Sequence, residues 1–233
     1  MLWGYSGGSQ ASEFAVELQP KYASELKVKG AALGGLVENI LAIQENVNAT
    51  PLAGLTPNAL LGLLVEYPDV LKYLTSRVKT SGPQNATTLF AAKHNSFIQS
   101  IQEFGGQDIY GYFIGGKADV VDSPVLNNAF NNDGTMGVHG VPKVPLFIYT
   151  AINDEASPIN TTQALVDKYC SAGANIIWEK NTVGGHIAEQ TNGDASAVAW
   201  LTDILASDTV KETCGSTRCL IQDVTLNITS SPI

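Results

Sequence analysis

Residues 144–152, Val-Pro-Leu-Phe-Ile-Tyr-Thr-Ala-Ile, are continuously apolar apart from one Thr, with neither the alternation of a half-buried strand nor the spacing of an amphipathic helix. A run of that kind predicts a parallel strand covered on both faces. Met1-Leu2-Trp3 leads into Gly4-Tyr5-Ser6-Gly7-Gly8, which reads as a strand end entering a tight turn, and residues 10–18 follow as a helix closed by Gln19-Pro20-Lys21. Residues 28–33 form a second short strand that stops at Gly34-Gly35. Beyond residue 152, Ala164, Leu165, Val166 and Tyr169 recur at helical spacing. A strand at 175–179, a loop at 183–186 and a helix over 195–205 complete the pattern, and the polar tail after Ser207 has no assignable period.

Between these parts, from about Ile40 to Gly134, the pattern is helical. Thr56-Pro57 starts a helix reaching Glu66, Tyr67-Pro68-Asp69 restarts one through about Arg77, and a third runs from Thr87 to Phe104 before Gly105-Gly106. The expected class is α/β, with a parallel sheet interrupted by a helical insert. Its expected divisions are 1–39 for the first strand, turn and following α/β unit, 40–134 for the insert, 135–206 for the second α/β portion and 207–233 for the tail. Leu60, Leu61, Leu63 and Leu64 in the insert suit either core packing or a lipid-facing lid.

With 44% apolar and 15% charged residues among 233, the chain can bury a sizeable core. The net charge of −9 and the scattered Lys and Arg argue against nucleic acid as a partner. No apolar run approaches the roughly 20 residues that span a bilayer. Met1-Leu2-Trp3 has neither the charged nor the apolar region of a signal peptide, which points to the cytosol. The sequons at Asn48, Asn85, Asn160 and Asn227 point the other way, as glycosylation acceptors of a secreted chain. Cys170, Cys214 and Cys219 lack zinc-site spacing, so the expected use is a disulfide tying the tail to Cys170, with Cys214 preferred over Cys219 and an oxidising compartment implied.

The candidate chemistry centres on Gly4-Tyr5-Ser6-Gly7-Gly8, a G-x-S-x-G pattern. In a chain with 22 glycines the pattern alone is weak, but its place between strand and helix is where such a motif exposes a Ser hydroxyl, and Gly4, Gly8 and Ala11 are small enough for the helix to cross close by. A Ser hydroxyl needs an imidazole to take its proton, and the imidazole needs a carboxylate to orient it. His186, in the loop after the strand at 175–179, is the expected base, whereas His94 lies in a helical stretch and His139 in a Gly-Pro connection. Asp154 directly follows the long apolar strand and is the expected acid, with Glu155 as its substitute. The order Ser, Asp, His is that of the α/β-hydrolase fold.

Trp3-Gly4-Tyr5-Ser6-Gly7-Gly8, the block from Val144 through Asp154-Glu155, and Cys170-Ser171-Ala172-Gly173-Ala174-Asn175-Ile176 resemble the fungal secretory lipase family. The resemblance runs from Leu2 to about Ala206. It implies the C-terminal part of an α/β-hydrolase sheet with an inserted helical cap, and Ser6 as nucleophile, Asp154 as acid and His186 as base. One oxyanion donor is then the backbone N–H of Gly7. It further implies a secreted parent, no cofactor or metal, an ester substrate of lipid type and transient contact of the cap with a lipid interface. A deacetylase of secondary metabolites is the alternative. Family members have a long region ahead of the nucleophile, whereas Ser6 here follows five residues. The expectation is therefore of a truncated chain that lacks the first strands and second oxyanion donor and is poorly soluble and inactive alone, or of a non-catalytic gene product.

Overall fold

The computed structural model describes residues 1–206 and 219–228. They form two compact units, one of residues 1–38 with 136 onward and one of residues 39–135.

The first unit is built on a parallel sheet of five strands in sequence order: β1 (Leu2–Tyr5), β2 (Ala31–Gly34), β3 (Leu146–Ala151), β4 (Ile176–Asn181) and β5 (Cys219–Val224). Every residue of β3 is buried, as a strand paired on both edges and covered on both faces must be. Its side chains alternate between two cores. Leu146 and Ile148 pack with Ala31, Leu33, Ile176 and Trp178 beneath α1 (Gly7–Tyr22) and α8 (Ile159–Ser171), which contribute Val16, Leu165, Val166 and Tyr169. Phe147 and Tyr149 turn to the other face and pack with Ala32, Ala197, Trp200 and Ile204, the last three from α10 (Asp194–Ala206). Each fully buried large apolar side chain in these layers contributes about 1.5–3 kcal/mol.

Four local expectations in the first unit are corrected. Helix α1 continues through Pro20 to Tyr22, because a lost N–H in the last turn removes one bond where the helix is already ending, and the Gln19 side chain caps the exit by donating to Ala23 O and Leu26 O. His186 opens α9 (His186–Asn192) instead of closing a loop. The tail is not without pattern, since β5 pairs along all of β4. Finally, Cys170 is bonded to Cys219 with the Cα atoms 6.0 Å apart, so the preferred pairing with Cys214 is wrong. Cys219 starts β5 opposite Ile176, which brings it back to the end of α8 where Cys170 sits. Cys214 lies outside the described residues, as does the expected tail at 207–218 and 229–233.

The second unit holds α2 (Ile40–Val47), α3 (Leu55–Leu64), α4 (Pro68–Arg77), α5 (Ala86–Ala91), α6 (Phe97–Phe104) and α7 (Pro124–Asp133), with short 3₁₀ turns between. The single helix expected over Thr87–Phe104 is broken because Ser96 caps α6, its hydroxyl accepting from Gln99 N–H while the Gln99 side chain accepts from Ser96 N–H. Leu60, Leu61 and Leu64 are buried within this unit and Leu63 is half-buried, so these leucines are core and not a lipid-facing stripe.

Two buried carboxylates on α1 pin the first unit. Glu17 accepts from the N–H groups of Gly137, His139 and Gly140, and the Tyr169 hydroxyl donates to Glu13. Burial pushes the Glu13 carboxyl up to about 8, helped by the nearby Glu17 and opposed by the Tyr169 hydrogen bond. Folded Glu13 thus holds a proton that the unfolded chain releases near 4.5. Its contribution to stability is complete below the unfolded value and is lost as pH rises to about 8, at about 1.4 kcal/mol per pH unit in between. Glu13→Gln should remove that slope, so that denaturant titrations at pH 5 and pH 8 show the variant gaining on the wild type at the higher pH. Equal slopes would contradict the assignment. Non-reducing peptide mapping should recover the Cys170–Cys219 pair, and Cys219→Ser should lower unfolding stability by about 2–4 kcal/mol, the range for a loop of this size.

Candidate active site

The site grows from one strained residue. Ser6 joins β1 to α1 with φ 53° and ψ −123°, a backbone that L residues rarely adopt. Its N–H donates to Gly34 O at 2.9 Å, and its own carbonyl accepts from the N–H and hydroxyl of Ser9 at 2.8 and 2.6 Å. The turn is so tight that a Cβ on Gly4 would overlap the Gly8 carbonyl, which makes glycine obligatory at position 4. The expected role of small neighbours is thus refined: Gly8 contributes its backbone, its own Cβ position is open, and Ala11 is exposed.

Asp154 and His186 follow the carboxyl ends of β3 and β4, the edge of the sheet at which Ser6 also stands. His186 Nε2 lies 2.9 Å from Ser6 Oγ, and His186 Nδ1 lies 2.8 Å from Asp154 Oδ2. Asp154 is fixed through its other oxygen, which accepts from the N–H groups of Ala156 and Ser157 at 2.9 and 2.7 Å. Both oxygens of the carboxylate are thereby used, one to face the ring and one to hold the turn. His186 is only 4% exposed, so its ring faces Ser6 from a largely dry position. An imidazole between a hydroxyl and a carboxylate in this geometry can take the hydroxyl proton and be stabilised as a cation. Gly7 is the first residue of α1, and its N–H is one of the unpaired donors that a helix start presents.

The partners of Tyr5, Glu38 and Glu189 at the site have no signature in their sequence context, and Glu155 takes a place other than the expected one. The Tyr5 hydroxyl donates to the His186 carbonyl at 2.5 Å, and burial together with Asp154 holds its ionisation well above the ordinary phenol range, so it remains a donor. Its position inside the G-x-S-x-G pattern was visible; its partner was not. Glu155, weighed as a substitute acid, does not meet the imidazole: it accepts from the backbone N–H of His186. Glu38 is buried and accepts from the hydroxyls of Ser157 (2.8 Å), Thr161 (3.0 Å) and Thr162, so it holds the residue whose N–H supports Asp154. The hint was a lone acid in the apolar stretch Leu36–Ile40. Glu189, one turn after His186, is buried and pushed up to about 7 by desolvation, against the hydrogen bond from Asn181.

The other histidines stand apart. His139 packs against Phe14 with ring centroids 5.8 Å apart, and His94 is exposed in a 3₁₀ turn of the helical unit. Among the described residues no group of three or more His, Cys, Asp or Glu side chains is placed to hold a metal ion. Of the sequon residues, Asn48 Nδ2 donates to Asp108 and Asn85 Nδ2 to Gly82 O, while Asn160 and Asn227 are exposed.

Comparison with known proteins agrees with this architecture. The chain is 46% identical to "Trichothecene C-3 esterase" of Fusarium sporotrichioides over 100% of its own length and 52% of that protein's. It is 36% identical to "Lipase A" of Arthroderma benhamiae, covering 100% of this chain and 49% of the relative. The chain therefore spans about half the length of the curated relatives it matches. Among solved structures, Candida antarctica lipase A superposes with a TM-score of 0.80 at 22% identity, over 99% of this chain and 53% of that one, which supports a common α/β-hydrolase fold. The rice cell wall degrading esterase LipA from Xanthomonas oryzae gives a TM-score of 0.67 at 16% identity, over 88% of this chain and 58% of that one. Residues 1–212 match the secretory lipase family, and the chain belongs to it.

Proposed function

We propose that the chain carries the catalytic machinery of a serine carboxylic-ester hydrolase, with Ser6 as nucleophile, His186 as base and Asp154 as acid. The observation that carries this reading is the continuous hydrogen-bonded line from Ser6 Oγ through His186 to Asp154, at 2.9 and 2.8 Å. Ser6 Oγ attacks the ester carbonyl carbon while His186 Nε2 takes its proton, and Asp154 stabilises the imidazolium. The oxyanion of the tetrahedral intermediate faces the Gly7 N–H. Collapse expels the alcohol, which leaves with the proton from His186, and an acyl group remains on Ser6. A water molecule, deprotonated by His186, then attacks the acyl carbon and releases the carboxylic acid. Every step uses protein groups and water.

Two substrate classes fit. Lipid esters are the class to which the family name points, and the exposed Phe97 and Ile98 on α6 are consistent with transient contact of the helical unit with a lipid interface. A small acyl group on a bulky alcohol is favoured by the 46% identity to an enzyme named for a trichothecene C-3 ester, against 36% and 34% for relatives named as lipases. We rank the second class first. Membership of a secretory family suggests an extracellular protein, and the Cys170–Cys219 bond and the exposed sequon residues Asn160 and Asn227 support that reading.

In the full-length protein Ser6→Ala should abolish turnover of a short acyl ester, and Asp154→Asn should lower it by about 10⁴-fold. A Ser6→Ala enzyme that retains more than a trace of activity overturns the assignment. Substrate class is checked by comparing kcat/KM for a trichothecene C-3 acetate with that for a long-chain triacylglycerol. The expected preference is at least about tenfold for the acetate, on the order of the discrimination that one ill-fitting group produces. A reversed ratio returns lipid esters to first place.

A further inference from the structure

We propose that Glu155 is a positioning residue that fixes the backbone of the catalytic base, an inference that rests on the triad reading above. Asp154 and Glu155 are adjacent in the turn after β3, yet their carboxylates diverge. Asp154 is buried and meets the imidazole; Glu155 is exposed and reaches the same histidine from the main-chain side. Glu155 Oε2 accepts from the His186 N–H at 2.5 Å, and Oε1 accepts from the Ile187 N–H at 3.4 Å.

The need for such a group follows from how α9 begins. His186 is its first residue, and the N-cap is Gly185, which has no side chain to receive the unpaired N–H groups of the first turn. Glu155 supplies the acceptor from 31 residues upstream. Gly185 is itself explained by this arrangement, because a Cβ there would overlap Glu155 Oε2. The glycine before the base keeps room for the carboxylate.

Two consecutive side chains of one turn therefore hold one histidine at two points, ring and main chain. With the Tyr5 hydroxyl on the carbonyl and Ser6 at Nε2, His186 is held on four sides. Removing Asp154 would free the ring. Removing Glu155 would leave the ring bonded but let the start of α9 shift against β3, so that Nε2 loses its registration with Ser6 Oγ. Displacements of about 1 Å in such a site lower turnover by about 100-fold.

The experiment compares Glu155→Ala and Glu155→Gln with wild type and Ser6→Ala in the full-length protein, on a soluble short acyl ester, with melting temperature measured alongside. Glu155→Ala should lower kcat by about 10- to 100-fold with KM within about twofold, and the rate of Ser6 labelling by a fluorophosphonate should fall in parallel. Loss of one capping acceptor should lower the melting temperature by only about 2–4 °C, leaving the enzyme folded at the assay temperature. Glu155→Gln, whose amide oxygen can still accept the His186 N–H, should recover most of the lost kcat. An unchanged kcat in Glu155→Ala beside an inactive Ser6→Ala overturns the positioning role and leaves the triad standing. A Glu155→Gln variant as impaired as Glu155→Ala overturns it as well, since the charge and not the hydrogen bond would then matter. Activity retained in Ser6→Ala defeats the triad reading itself, and this inference with it.

Discussion

Everything in the site depends on how closely the start of α1 approaches β1. The Gly8 carbonyl occupies the space a side chain at position 4 would need, and this approach holds Ser6 at a positive φ that the isolated chain would leave. Relaxation of Ser6 would have to push α1 away from β1, breaking the contact of Val16 with the sheet and the grip of Glu13 and Glu17 on Tyr169 and the 137–140 turn. The strain is local, but the packing that maintains it extends along α1. That is why the hydroxyl projects beyond the strand end, within reach of an imidazole 180 residues away in sequence.

The buried acids show a second economy in the fold. Glu13, Glu17, Glu38 and Glu189 are all nearly inaccessible; Glu17 and Glu38 are held by backbone or hydroxyl donors from segments distant in sequence, and Glu189 by the Asn181 amide eight residues before it. Glu13 completes the set through Tyr169. Unpaired, a buried carboxylate would be strongly unfavourable; given donors, or a proton, it becomes a short directional link that apolar packing cannot provide. Glu38 joins the end of the first α/β segment to the turn that carries Asp154. Glu189 meets Asn181, whose side chain also pairs with the backbone of Leu226 beyond β5.

What could be seen in the sequence was the set of features with a local signature. The continuous apolar run at 144–152 contains β3, buried throughout, and Ser6, Asp154 and His186, which the structure brings within hydrogen-bonding distance, each follow a strand end of the sequence pattern. Features that depend on a distant partner were hidden. β5 is an edge strand of mixed polarity, and only pairing with β4 makes it a strand. The leucines of α3 looked the same whether they faced a core or a lipid surface, because helical spacing defines a face without saying what lies against it. The break at Ser96 is different, since the Ser96–Gln99 capping pair is itself written in the sequence, within a stretch whose apolar spacing alone favours one long helix.

The bond between Cys170 and Cys219 turns the stretch between them into a covalent ring. That ring contains β4, α9, α10 and His186, whereas Ser6 and Asp154 lie outside it. The proposed base is therefore carried on a tethered loop of chain, and the proposed nucleophile and acid on the segment that precedes it. Without the bond, His186 is still held by the pairing of β4 with β3 along its whole length and by its own hydrogen bonds. The bond thus bears on the three residues unequally: it adds a covalent closure to the segment of the imidazole and none to the segments of the hydroxyl and the carboxylate.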